Sequence, residues 1–219
     1  MYTPITKNNN KKYGNNRWMG YSERLKREVF LSSQLEYDHW VLVETESDVV
    51  NFCEQPKRAS AIYMGRTHYS IIDAMVQNVG EIEEFFEIKY LKDLEPSSKN
   101  YDKVQKQIYI QKDWCTRNGF KHQVLTEKEI RGNTVLLENK KTILPYIKEF
   151  KNISPINRQK ILNSILGRKS MFQDLFEEHR ELTKNEIQTI VFELIFRKQI
   201  VTNIEEYRLG KETWMLING

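Results

Sequence analysis

Residues 48–91 hold four short runs rich in β-branched and aromatic residues, each closed by turn-forming residues, and this punctuation restricts the fold more than any other feature of the chain. DVVNFCEQ stops at Pro56. ASAIYM and THYSIIDAMVQ, split by a Gly65-Arg66 turn, read as the two strands of a hairpin-like unit, and Asn78-Val79-Gly80 precedes EFFEIKYL. Helical spacing frames this block on both sides. Upstream, residues 33–46 (SQLEYDHWVLVETE) set Leu35, Trp40, Leu42 and Val43 behind Ser33 as N-cap. Downstream, Val104, Ile108, Ile110, Trp114 and Cys115 predict a helix from Asn100 to Asn118, with Gly119 as its C′ stop. HQVLT gives a fifth short strand, and VLLENKKTILPYIKEF gives further helix. Strands, helix, strand, helix predict a mixed α/β core, a central sheet flanked by helices. A chain of 219 residues can bury such a core, with room for a small companion domain and no need of disulfides.

Two of these strands carry charge where apolar residues would cost less. In YSIIDAMV one parity holds Tyr69, Ile71, Asp73 and Met75 and the other Ser70, Ile72, Ala74 and Val76, so neither face reads as solvent. In EFFEIKYL, Glu87 and Lys89 stand two apart, on one face with Phe85 and Leu91. Burying an unpaired carboxylate costs several kcal/mol, so Asp73 needs a cation, a hydrogen-bond donor or a metal. Asp73, thirteen residues, Glu87, one residue, Lys89 is the D-x(n)-[DE]-x-K spacing of metal-dependent phosphodiesterases. Carboxylates are hard oxygen ligands for Mg²⁺ or Mn²⁺, and a lysine beside them can orient water and offset charge on a phosphate. On spacing alone the pattern is weak, and a Glu87–Lys89 or Asp73–Lys89 ion pair with no chemistry is the simpler reading of the triplet.

Charge is distributed unevenly. Residues 1–30 carry seven Lys and Arg against two acids, residues 31–150 sixteen against nineteen, and residues 151–219 eleven against nine. Lys7, Lys11, Lys12 and Arg17, interleaved with Asn, Tyr13 and Trp18, form a basic arm suited to phosphates, or else a solvated tail. The acidic middle suits a site that collects divalent cations better than a pure DNA-binding module. Cys53 and Cys115 lack zinc-ligand spacing, so no structural zinc is expected and a reducing compartment is the simplest setting. With no apolar signal segment and no run near the ~18 residues of a membrane span, the expected location is cytoplasmic.

The blocks SQLEYDHWVLVETESDVVNFCEQP, IIDAMV, FFEIKY and VLTEKEIRGNTVLLENKK, in this order over residues 30–145, resemble the TnsA family, the endonuclease subunit of heteromeric transposases. The resemblance implies a restriction-endonuclease-like fold in residues 31–150, with Glu36, Asp73, Glu87 and Lys89 at the family's active-site positions and Glu36, Asp73 and Glu87 as ligands of Mg²⁺ or Mn²⁺. It implies hydrolysis of the 5′-end strand at each transposon terminus, beside a DDE-type (TnsB-like) transposase that makes the 3′ cuts and an AAA+ (TnsC-like) regulator. It also places the protein on DNA, hence at the nucleoid. Glu36 has a second reading, because Ser33-Gln34-Leu35-Glu36 is an S-x-x-E capping box; against that, it shares a helix face with Trp40 and Val43. Two positions depart from the wider pattern. Ile72 stands where related nucleases often have proline, and Glu87 where some TnsA proteins have glutamine. Gln55 matches a family block and reads as a strand-end hydrogen bond. His39 and His68 read as structural. Two other readings stay open: a restriction or repair endonuclease, and a non-catalytic DNA-binding adaptor with a decayed nuclease fold.

Beyond residue 151 the pattern changes. SPINRQKILNSILG and KSMFQDLFEEH read as short helices, and Thr183 to Glu186 is a capping box opening EIQTIVFELIFRKQ. IVTNI, a polar tip EEYRLGKE and TWMLI then read as a two-stranded wing, so residues 151–219 are expected to form a winged-helix-like domain. Its near-neutral charge fits docking to the transposition regulator, as the resemblance implies, better than reading DNA.

Overall fold

The computed structural model describes residues 2–5 and 18–218. Lys7, Lys11, Lys12, Tyr13 and Arg17 of the expected arm lie outside them. Contacts divide the chain into two units, residues up to Val43 with Asp48–Gly132, and Glu44–Ser47 with Asn133–Gly219. The boundary expected from sequence, at residue 150, lies further along the chain than this division by contacts.

The first unit opens with an element the sequence reading did not assign. β1 (Trp18–Ser22) and β2 (Arg27–Leu31) form an antiparallel hairpin with Trp18 opposite Leu31. Its period of two is interrupted by basic residues: Val29 and Leu31 are buried, whereas Phe30 and Met19 face out. Gly20 is required there, since a Cβ on it would run into the Trp40 ring. α1 (Gln34–Glu44) follows, its start held by the Glu36 amide donating to Ser33 Oγ at 3.1 Å. Leu35, Trp40, Val41 and Val43 bury its inner face, and the buried Asp38 is answered by Arg131 at 2.6 Å.

β3 (Val49–Glu54), β4 (Arg58–Tyr63), β5 (Arg66–Ile71), β6 (Ala74–Asn78), β7 (Glu84–Ile88), α2 (Tyr101–Arg117), β8 (Lys121–Leu125) and α3 (Glu127–Ile130) complete the unit. The central sheet has the order β3-β6-β7-β8, antiparallel except for the β7–β8 pair, which α2 connects. That parallel pair explains why β7 is apolar on both parities: Phe85, Phe86 and Ile88 are all buried. β4 and β5 form a separate two-stranded ribbon. THYSIIDAMVQ is therefore two strands, not one. The chain leaves the ribbon at Ile71 and enters the central sheet at Ala74, with Ile72 and Asp73 as the joint. Uniform apolarity on both parities hid this switch of sheets. Around the joint, Cys53, Ala59, Ala61, Ile72, Met75, Phe85, Ile110 and Cys115 form one core, and both cysteines are free.

In the second unit, α4 (Thr134–Ile143) runs into a 3-10 segment (Leu144–Asn152). α5 (Pro155–Ile165), β9 (Ser170–Met171), α6 (Phe172–Glu178), α7 (Lys184–Phe196), β10 (Ile200–Thr202) and β11 (Trp214–Ile217) follow. The strands make a small antiparallel sheet in the order β10-β11-β9. α7 starts with the expected capping box, Thr183 N donating to Glu186 Oε2 at 2.8 Å and Glu186 N to Thr183 Oγ1 at 3.2 Å. Ile161, Ile165, Leu175, Ile187, Phe192 and Met215 are central to its core. The segment between β10 and β11 is tied down, not projecting freely. Buried Asn139 of α4 donates to the carbonyls of Ile204 (2.7 Å) and Tyr207 (2.8 Å) and accepts from Leu209 N (2.8 Å).

Candidate active site

The joint between β5 and β6 places Asp73 beside the C-terminal end of β7. The Asp73 amide donates to Phe86 O (3.2 Å), and its carbonyl accepts from Gln55 N (2.9 Å). Its carboxylate turns back across β7: Oδ2 accepts from Ile88 N at 2.9 Å and stands 3.4 Å from Lys89 Nζ. Lys89 continues the β7 ladder through its amide to Leu125 O (3.0 Å). Glu87, two residues earlier and 1% exposed, meets the same ammonium with Oε1 at 2.5 Å. Asp73, Glu87 and Lys89 thus converge on one point.

Glu87 Oε2 is held by a residue that the sequence reading passed over. Gln111 of α2 is fully buried, and its Nε2 shares two N–H groups among Glu87 Oε2 (2.6 Å), Ser70 Oγ (2.9 Å) and Ile71 O (3.1 Å). Its Oε1 is left as acceptor for His122 Nε2 at 3.0 Å, which makes His122 the donor. Burial and the nearby Lys112 push the His122 pKa down to about 4, so the ring is neutral. A signal for Gln111 existed. It lies seven residues after Val104 and four before Cys115, in the middle of the buried face of α2.

Glu36 approaches from α1. Its Oε2 accepts from Ser32 N (2.9 Å) and its Oε1 from Ser33 Oγ (3.1 Å), so the capping duty read from S-x-x-E is present, reaching one residue further back than a capping box. It also lines, with Asp73, His39 and Ile88, a cavity of about 10 Å³, room for one water-sized species. Burial, then the charge of Asp73, pushes the Glu36 carboxyl up to about 7. For Glu87 the same two causes in the same order raise it to about 8, against the opposing pull of Lys89 and Gln111. Burial opposes the charge on Lys89, but Asp73 and Glu87 outweigh it and hold the ammonium well above its usual range. These are the electrostatics of too many carboxylates around one cation.

Among the described residues, no three His, Cys, Asp or Glu side chains stand close enough to form a ready metal cage. Two contacts account for this: the Lys89 ammonium stands between Asp73 and Glu87, and Glu36 is turned back onto Ser32 and Ser33. The donor set nonetheless fits a divalent cation. Its oxygens are hard ligands, and the buried Glu87 Oε1 faces a cation already, the Lys89 ammonium at 2.5 Å. Glu54, the other buried carboxylate nearby, is fully answered by Arg27, with both oxygens at 2.6 Å from the guanidinium. Gln55 donates to Ser32 Oγ at 3.3 Å, the strand-end duty read for it. His39 is buried against Phe86 with its pKa lowered by burial to about 4, and His68 packs edge-on to Tyr63.

Residues 46–127 match the family model of the TnsA-like endonuclease N-terminal domain. This stretch is similar to the N-terminal domain of TnsA-type endonucleases. The matched stretch contains Asp73, Glu87, Lys89, Gln111 and His122, and Glu36 lies ahead of it. No curated protein matches the chain. The TnsA-like domain has a mixed central sheet with helices packed about it, which fits a restriction-endonuclease-like fold.

Proposed function

We propose that this chain is the DNA-cleaving subunit of a heteromeric transposase, a Mg²⁺- or Mn²⁺-dependent endonuclease that hydrolyses the 5′-end strand at each transposon terminus. One observation carries the reading: Asp73, Glu87 and Lys89 meet within 3.4 Å of a common ammonium inside a TnsA-like domain. Asp73 and Glu87 would hold the ion, with Glu36 turning in from α1. The ion would supply Lewis-acid polarisation of the scissile phosphate and activation of water. The protein supplies the positioning. Ile88 N fixes one oxygen of Asp73, Gln111 fixes one oxygen of Glu87, and the Lys89 ammonium, released from its double ion pair, compensates charge developing on the phosphate.

A DDE-type transposase would make the complementary 3′ cuts and recognise the ends, and an AAA+ regulator would complete the assembly. The second unit is the candidate docking module for that regulator. Its three helices α5, α6 and α7 with the β10–β11 hairpin support a winged-helix-like reading, and its near-balanced charge favours protein over DNA.

The test is strand cleavage of transposon-end DNA with Mg²⁺, with and without the DDE partner. The wild-type chain should cut the 5′-end strand when the partner is present, and Asp73→Ala and Glu87→Ala should not. A second reading, a catalytically silent adaptor, draws on the Lys89 ammonium filling the space between Asp73 and Glu87. Equal results from wild type and both variants would favour it.

A further inference from the structure

The β4–β5 ribbon stands apart from an otherwise acidic region. Residues 57–72 contain Lys57, Arg58 and Arg66 and not one Asp or Glu, although residues 31–150 as a whole carry more acids than bases. Lys57, Arg58 and Arg66 are all exposed. Lys26, Arg27, Lys89, Arg117, Lys121 and Arg131 take the unit's carboxylate partners, and no ion pair reaches the three ribbon cations among the described residues. Among the described residues their side chains meet one partner, and it is aromatic: the Arg58 guanidinium lies over the Tyr69 ring at 4.3 Å. One face of the ribbon is buried through Ala59, Ala61 and Ser70. The other presents Arg58, Ile62 (69% exposed) and Tyr69 (57% exposed). By register Arg58 is the cation of this face, while Arg66, opposite Tyr63 at the turn, shares the parity of Ala59 and Ala61, and Lys57 stands at the base just before β4. Apolar groups this exposed, with cations at the base and tip of the same ribbon, mark a surface awaiting a partner.

The geometry points to this outward ribbon face as a contact surface for duplex DNA, one that sets the substrate over Asp73; the inference rests on the nuclease reading above and adds where the duplex lies. Three features favour nucleic acid over protein. The charge is all of one sign and unpaired, as phosphate binding requires. A two-stranded ribbon fits the major groove, where exposed Ile62 and Tyr69 can meet base edges. The ribbon also leads directly into the site: Arg58 pairs with Ile71, and Asp73 follows within about 7 Å of chain. The base of the ribbon is bonded to the catalytic joint, Ile72 N donating to Lys57 O at 3.1 Å. A phosphate held by Lys57 or Arg58 is therefore held near the Asp73 carboxylate.

The experiment is fluorescence anisotropy of the full chain with a labelled DNA duplex over a range of salt. The variants are Lys57→Ala/Arg58→Ala/Arg66→Ala, the charge-keeping Arg58→Lys/Arg66→Lys, and Asp73→Asn as a site control, each with its melting temperature. The inference predicts that the triple alanine variant folds as the wild type does, binds at least about tenfold more weakly, and loses roughly two to three from the slope of log K against log salt. The lysine variant should keep most of the affinity. The triple alanine variant should bind Mn²⁺ as the wild type does, whereas Asp73→Asn should lose it, so failure of the metal site and failure of the ribbon are told apart. An unchanged affinity and slope in the triple variant overturns the inference. So does a wild-type chain that binds no duplex at low salt, and so does a triple variant that keeps duplex affinity but loses association with the transposase partner, which would assign the face to protein.

Discussion

Glu87 is a carboxylate at 1% exposure with one oxygen on Gln111 and the other facing only an ammonium. Replacing Gln111 by Leu strands Glu87 Oε2 and costs about 1–3 kcal/mol of stability by urea denaturation. It should weaken Mn²⁺ binding as well, because an unsupported buried carboxylate keeps its proton more tightly. Gln111→Glu sets a second acid against the first and should weaken binding further. The pH dependence has a definite sign. Glu36 and Glu87 titrate near 4.5 when unfolded but near about 7 and about 8 when folded. Between about pH 4.5 and 8 the folded chain therefore holds protons that the unfolded chain has lost, and without metal these two groups make stability fall as pH rises. Urea midpoints at about pH 5 and about pH 8 should show that fall in the wild type and a smaller one in Glu87→Gln.

At the scale of elements, the β5–β6 joint decides the site, because it turns Asp73 out of the ribbon and against β7. That Asp73, Glu87 and Lys89 would need one another was legible from charges placed in apolar strands. The joint was not, since Ile71, Ile72 and Ala74 look alike whether the strand continues or changes sheet. The β1–β2 hairpin was obscured by the basic residues around it, and Gln111 by the more conspicuous lysines of α2. The cap on α7 was readable because Thr183 and Glu186 act within four residues, whereas the hold of Asn139 on residues 204–209 spans some seventy positions and leaves no local trace. Asn139→Ala frees three backbone groups in a buried setting. It should destabilise the second unit by at least about 1–3 kcal/mol and speed amide exchange at Leu209, read by hydrogen exchange. Gly20→Ala drives a methyl into Trp40 and should cost about 1–3 kcal/mol in the first unit.

For the whole molecule, charge is unevenly spread: residues 31–150 carry more acids than bases, the ribbon within them has no acid, and residues 151–219 are nearly balanced. No helix among the described residues is long and apolar enough to cross a membrane. The central claim is that Asp73 and Glu87 are gathered for a divalent cation and that Lys89 holds their place until it arrives. Calorimetric titration of Mn²⁺ into the full chain at about pH 8, near the point where Glu87 is half ionised, tests it most directly. Saturable binding by the wild type that disappears in both Asp73→Ala and Glu87→Gln is the predicted result; no binding by the wild type, or equal binding by all three, would contradict it.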